Sequence, residues 1–394
     1  MQTPPPPSPP PPPPTSPPPF EMLTSFNHPN EEDQQQQSHH SDHHFHLPIS
    51  IISPSPTTTT TSSTHIKHLL LTCADFITRS DFPSASRAIS LLSASSSPFG
   101  DSTDRLIHHF TTALSLRLQR LTFHTLLRPP PPPPPLSPTL SDAYLTLNHL
   151  TPFIRFCHLT ANQAILEAVD GHRSIHIVDF DTAHGVQWPP LLQAIAERAD
   201  PSDPPSIRIT GTGSDSETLR RTADRLETFA QSLGRLRFHF QPLILSPTEG
   251  SSSSSILNMI DVRPHETVAL NCVLHLHRLV RDDPREMWAF LRGVKQKLKP
   301  TIVTVAEKEA SHNGSTTSFM QRFAEAMDYY GAVFDSLEST VQPGSRERLA
   351  VEGVWFGREI EDIVAMDGDG RRERHERFVK WAETLRGAGS TMSR

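Results

Sequence analysis

The chain has 394 residues, a formal net charge of −7, 39 prolines against 17 glycines, and only 35% hydrophobic residues. The acidic balance argues against binding nucleic acid through bulk positive charge and leaves only a local basic patch open. Cys73, Cys157 and Cys272 lie far apart with no C-x-x-C pair, which excludes a sequence-local zinc site and suits a reducing compartment.

Residues 1–64 hold proline blocks at 4–7 and 9–14 and a glutamine run at 34–37. A histidine cluster (His39, His40, His43, His44, His46) and a threonine run at 57–61 follow. Such composition cannot offset the entropy of ordering, so a disordered, solvated tail is expected. No apolar h-region opens the chain, and no apolar run reaches the roughly 18–20 residues that span a bilayer. The expectation is a soluble, intracellular protein.

From His65 the pattern turns helical. Leu69, Leu70, Cys73, Ala74, Phe76 and Ile77 recur at helical spacing, and Pro83 interrupts them. Ala85, Ala88, Ile89, Leu91 and Leu92 resume it. Asp101 and Ser102 are cap candidates for a third helix carrying Leu106, Phe110, Ala113, Leu114 and Leu121. Seven prolines at 129–135 form a stiff spacer. Two more helices are predicted over 139–170, broken near Pro152 and ended by Gly171. Residues 65–170 therefore read as an α-helical cap subdomain, with 129–135 as a surface excursion.

From 174 short apolar runs alternate with amphipathic stretches. Strands are expected at 175–180, 207–210, 238–240, 268–271 and 302–305, and a further strand at 332–337. Helices are expected at 191–198, around Leu219–Leu226–Phe229–Ala230–Leu233, at 286–298 and at 318–330. This alternation predicts an α/β core over 171–394, a parallel sheet with helices on both faces. Ligands of such sheets bind beyond the carboxyl ends of the strands, at the switch point.

The stretch Ile175-His176-Ile177-Val178-Asp179 ends there. A phosphate-binding turn needs glycines and free N–H groups. Here Asp181, Ala183 and His184 follow, with only Gly185. Gly211 and Gly213 follow the next strand without a third glycine, and Asp215 and Glu217 suit a helix start. His176 reads as a sheet histidine with a satisfied hydrogen bond, and His184 as the more exposed candidate. Gln187, Trp188, Pro189 and Pro190 anchor the next helix, with Trp188 a packing residue. His275 and His277 have ligand-like spacing, but no carboxylate or cysteine stands at ligand spacing from them. Glu307, Glu309, His312 and Asn271 read as a polar rim. Residues 371–381 (RRERHERFVKW) read as a solvated basic helix face. G-x-S-x-G, H-E-x-x-H and Walker motifs do not occur.

Taken together, IHIVDFDTAHGVQWPPLLQAIAERA resembles the VHIID region of plant GRAS proteins. ETVALNCVLHLHRL, IVTVAEKEASHNG, RFAEAMDYYGAVFDSLEST and RERLAVEGVWFGREIEDIVA follow in that family's order. VDFDTAHGVQWPP and SRERLAVE are most similar to its Lateral suppressor branch. The resemblance covers about 65–390. It implies a methyltransferase-like (Rossmann-type) core under a helical cap. It further implies a nuclear, non-enzymatic transcriptional regulator without cofactor or metal, contacting DNA-binding factors or another GRAS chain. For the branch it implies control of axillary meristem initiation and shoot branching. The family's C-terminal SAW region is expected to be missing, since the sequence stops about where it begins. An S-adenosylmethionine-dependent methyltransferase and a direct sequence-specific DNA binder are the competing expectations. A methyltransferase loop of the D-x-G-x-G-x-G type would place glycines at Asp181 and Ala183.

Overall fold

The sequence of caps explains where the helices begin. The Asp81 carboxylate accepts the Ser84 N–H at 3.2 Å, and Pro83 fits the first turn of the helix Phe82–Ser95 (α2). The Asp101 carboxylate likewise accepts the Asp104 N–H at 2.8 Å at the start of Ser102–Thr122 (α3). In this computed structural model, residues 59–122, 140–245, 256–313 and 318–389 are described. The predicted tail up to residue 58 and the proline run at 129–135 lie outside them. The first helix, Thr59–Thr78 (α1), begins ahead of the expected boundary at 65. Leu140–Leu150 (α4) and Pro152–Ala168 (α5) complete the N-terminal helices.

The core sheet has five strands, all parallel. They are β1 (Ser174–Asp179), β2 (Ser206–Gly213), β3 (Arg237–Ile244), β4 (Thr267–Val273) and β5 (Ile302–Ala306). Their order is β3-β2-β1-β4-β5, so the direction of winding reverses between β1 and β4. Asp179 stands in register with Gly211 on one side and Asn271 on the other. The Rossmann-type parallel core expected from the sequence is present. β1 is buried from Ile175 to Asp179, as a central parallel strand covered on both faces should be. Trp188–Arg198 (α6) follows β1, and Ser216–Leu233 (α7) follows β2 and ends on the left-handed Gly234. Pro284–Gly293 (α8) runs into a π-helical turn, Val294–Leu298, before β5. Phe290, Leu291 and Leu298 from this stretch pack with Val178, Leu270 and Cys272 of the sheet, and with Trp381 and Leu385 of Phe378–Gly387 (α12).

Three expectations need correction. The run at 332–337 is not a strand but lies inside Phe319–Thr340 (α9). Phe323, Met327, Tyr330, Phe334 and Leu337 keep helical spacing and are all buried. A short apolar run cannot by itself distinguish the two periods.

The cap is not confined to residues 65–170. α9, the short helix Arg346–Ala350 (α10), the π-helical turn Val351–Phe356 and Gly357–Ala365 (α11) follow the sheet in sequence. The buried apolar side chains of α9, the π-helical turn and α11 share one cluster with α1–α4, in which Phe110 meets Phe323 edge to face at 5.4 Å.

Finally, residues 371–377 are not helical, since α12 starts only at Phe378, and only Arg372 and Arg377 of them are exposed. Arg371, Arg374 and His375 are buried. Arg374 donates to Asp282 at 2.6 Å, to Asn313 at 3.2 Å and to the Arg371 carbonyl at 3.0 Å. Fixed oxygens take the place of water around the Arg374 guanidinium.

One buried ion pair ties the two halves of the cap together. Arg105 on α3 is fully buried and grips Glu352 of the π-helical turn through two bonds, 2.7 and 3.0 Å long. It also reaches Glu338 on α9 at 2.6 Å. Truncating one member strands a buried charge, whereas replacing both by apolar groups need not. Arg105→Met is therefore expected to cost about 3–5 kcal/mol in denaturant unfolding, and Arg105→Met with Glu352→Leu to recover most of it. Equal loss in the single and double variants would refute this account.

Candidate functional site

A cavity of about 270 Å³ opens beyond the carboxyl ends of β1, β2 and β4. Asp179, Asp181, Gln187 and Asn271 line it from the core, and Tyr144, His158 and Trp355 from the cap helices. Its floor is a closed hydrogen-bond net. The Asp179 carboxylate accepts the Trp188 indole N–H at 2.9 Å and an Asn271 amide N–H at 2.7 Å. Asn271 and Gln187 exchange a pair of amide bonds at 3.0 and 3.1 Å, and Thr304 donates to Asn271 at 2.8 Å. Gln187 also donates to Asn162 on α5 at 3.1 Å. Burial pushes the Asp179 carboxyl up to about 7 against the donors that surround it.

Above the floor runs the loop after β1. Asp181, Ala183 and Gly185 have φ of 64°, 46° and 62°. These alternate positions are the glycine positions of a D-x-G-x-G-x-G loop, and two of them carry side chains in the left-handed region. The backbone of a glycine loop persists although two glycines do not. Its shape is held by the Asp181 N–H on Thr212 Oγ1 at 3.0 Å and the Gly185 N–H on the Thr182 carbonyl at 2.8 Å. Only Gly185 is fixed by space: a Cβ there would meet Thr222 Cγ2 at 2.7 Å. The Asp181 carboxylate is taken by Arg278 at 2.6 Å.

The other expected residues divide between cavity and surroundings. His176 is outside the cavity: it bonds Thr210 Oγ1 at 2.8 Å and contacts Arg208 at 3.1 Å within the sheet. Burial, then Arg208, lowers its value to about 4. His184 stacks on Tyr144, with ring centroids 6.5 Å apart. Trp188 is fully buried, so no base can stack on it, and Pro189 sits in the first turn of α6. Gly211 is a packing glycine, since a Cβ would stand 2.4 Å from the Phe240 ring. Asp215 caps α7 by accepting the N–H groups of Glu217 and Thr218. Glu307 is away from the cavity and bonds His277 Nδ1 at 2.6 Å. Sequence reading missed Arg278, Tyr144, His158 and Trp355, which only tertiary contact brings to the cavity. Burial holds His158 down at about 4 and pushes the Tyr144 hydroxyl well up, so both are neutral walls near pH 7.

The profile of the GRAS domain family matches residues 66–393. The chain belongs to the GRAS family. Protein MONOCULM 1 of Oryza sativa subsp. japonica is 47% identical over 344 residues, 82% of this chain and 76% of that one. Scarecrow-like protein 18 of Arabidopsis thaliana is 43% identical over 357 residues, covering 82% and 79%. A crystal structure of SCL7 in Oryza sativa matches with TM-score 0.65 at 35% identity, over 82% of this chain and 84% of that one. The GRAS fold and the Lateral suppressor likeness read from the motifs agree with these relatives. Among the described residues, no helix of this GRAS chain is long and apolar enough to cross a membrane.

Two outcomes test the geometry of the loop and floor. Ala183→Gly relieves a left-handed alanine, so it is expected to raise stability by about 0.5–1 kcal/mol after the entropy of the added glycine is set against it. A loss of stability would contradict the strain. For Asp179, the folded carboxyl titrates above its unfolded value of 3.8. Its contribution is therefore full below about pH 4 and is lost as pH rises towards about 7. Asp179→Asn should flatten the fall in unfolding free energy across that window relative to the unsubstituted chain. The same slope in both proteins would refute the assignment.

Proposed function

We propose that this GRAS protein is a non-enzymatic transcriptional regulator in the nucleus. It acts through contacts with DNA-binding factors, and its developmental output is axillary meristem initiation and hence shoot branching. The observation that supports this most is the state of the switch point. Each acid that would serve a nucleotide ligand is already engaged by the chain itself: Asp179 by Trp188 and Asn271, Asp181 by Arg278, and Asp215 by the start of α7. The likeness to MONOCULM 1 and Scarecrow-like protein 18 supports the family role. The net charge of −7 favours recruitment by a partner over direct DNA binding.

The cavity itself favours a second reading, an S-adenosylmethionine-dependent methyltransferase, because it occupies the place where α/β sheets bind ligands. A likeness of fold is weak support for chemistry. Two measurements separate the readings. Fused to a heterologous DNA-binding domain, the full chain is expected to change the output of a reporter carrying the matching sites. An unchanged reporter, with no co-precipitation of any DNA-binding factor, would overturn the regulator. Calorimetry with S-adenosylmethionine is expected to give no binding heat. Micromolar binding abolished by Asp179→Ala would establish the enzyme reading instead.

A further inference from the structure

The most unusual polar cluster lies outside the cavity, beyond the carboxyl ends of β4 and β5. His277 comes from the 3₁₀ turn Leu276–Leu279 after β4, and Glu307 directly follows β5. Glu373 and His375 are buried residues of the irregular segment before α12. Ligand atoms of His277, Glu307 and His375 all fall within 4.8 Å of one another. Glu373 Oε2 stands 3.1 Å from His277 Nε2 and 3.1 Å from His375 Nε2. The two imidazole rings are 4.3 Å apart.

These contacts are close but do not form hydrogen bonds. His277 Nε2, His375 Nε2 and Glu373 Oε2 are buried atoms without a hydrogen-bond partner. Three such atoms converging in a buried site within ion-pair range but without hydrogen-bond geometry are costly unless something fills the space between them. Their spacing suits an ion: bonds of roughly 2.0–2.2 Å in tetrahedral geometry place neighbouring ligand atoms about 3.3–3.5 Å apart.

The surroundings match as well. The other nitrogen of His277, Nδ1, meets Glu307 at 2.6 Å, the carboxylate–histidine arrangement that fixes a ligating tautomer. The other oxygen of Glu373, Oε1, faces Arg278 Nε at 3.6 Å, which leaves Oε2 directed to the cluster. A divalent cation would balance the two carboxylates, with Arg278 already matched by Asp181.

We propose that His277, His375 and Glu373 bind a divalent transition-metal ion, zinc foremost, with Glu307 as the positioning residue that orients His277. Two imidazoles and one carboxylate are a borderline donor set suited to zinc, with a fourth position left for water. The ion would staple the segment around residue 375 to the ends of β4 and β5. This inference is independent of the regulatory reading, and neither falls with the other.

The test uses the full chain with His39, His40, His43, His44 and His46 changed to serine, so that this histidine-rich stretch adds no metal of its own. After dialysis against metal-free buffer, elemental analysis is expected to find about one zinc per chain. Cobalt substitution should give the intense visible bands of a four-coordinate site. His375→Ala should lose the metal, and Glu307→Gln should keep it with affinity weakened about 10–100-fold. His375→Cys retains a ligand and should add a sulfur-to-cobalt charge-transfer band, a readout that holds even if the alanine variant folds poorly. A chelator should lower Tm in the unsubstituted site and leave it unchanged in His375→Ala. Absence of bound zinc or cobalt, or cobalt bands unaltered in His375→Cys, would overturn the proposal.

Discussion

The buried carboxylate of Asp179 is the constraint around which the core is organised. A charge at the end of the central strand, out of reach of water, must be met by fixed donors. Trp188 and Asn271 meet it, and in doing so they join the helix after β1 to the strand across the reversal of the sheet. Gln187 extends the net to α5 through Asn162. Strand order, the entry angle of α6 and the seat of the cap helices therefore meet in one set of polar contacts. An apolar substitute would fill the same volume without specifying any of those directions.

The cap depends on a second constraint of the same kind. Its helices come from two segments separated by the whole sheet, and apolar packing alone would tolerate sliding between them. Arg105 removes that freedom because a guanidinium bonded to Glu352 and Glu338 admits only one register. The π-helical turn at 351–356 supplies two of the necessary side chains at once, since it carries both Glu352 and Trp355. One reaches into the cap and the other into the cavity wall.

Much of this was legible in the residues, and what was not has physical causes. Central parallel strands announce themselves because both faces are buried, so β1 and β4 show as mostly apolar runs interrupted only by His176 and Asn271 before their ends. Asp179 and Asn271 were legible as strand-end polar groups. The role of α9 and α11 in the cap was not, since helical periodicity says which face is buried and not against what. The segment RRERHER was misread because charge in one dimension implies solvent, whereas here buried Arg374 finds the Asp282 carboxylate and the Asn313 amide oxygen, and buried Arg371 finds the His312 carbonyl, all brought by other elements. The same limit hid the surroundings of His277. Neither Glu307 nor Glu373 stands at ligand spacing along the chain, and only the fold makes them neighbours.

The loop after β1 also bears on how far this protein stands from a different one. Glycine codons are a single base away from those of alanine and of aspartate. Replacing Asp181 and Ala183 by glycine thus asks for two point changes and no rearrangement of the backbone, which already holds both residues in the left-handed region. Mutation alone is no obstacle to an open, glycine-lined turn. The obstacle is Arg278, which would be left facing the cavity without its carboxylate. Any lineage that reopened the loop would have to change that arginine too, so the two ends of the ion pair should be inherited or lost together.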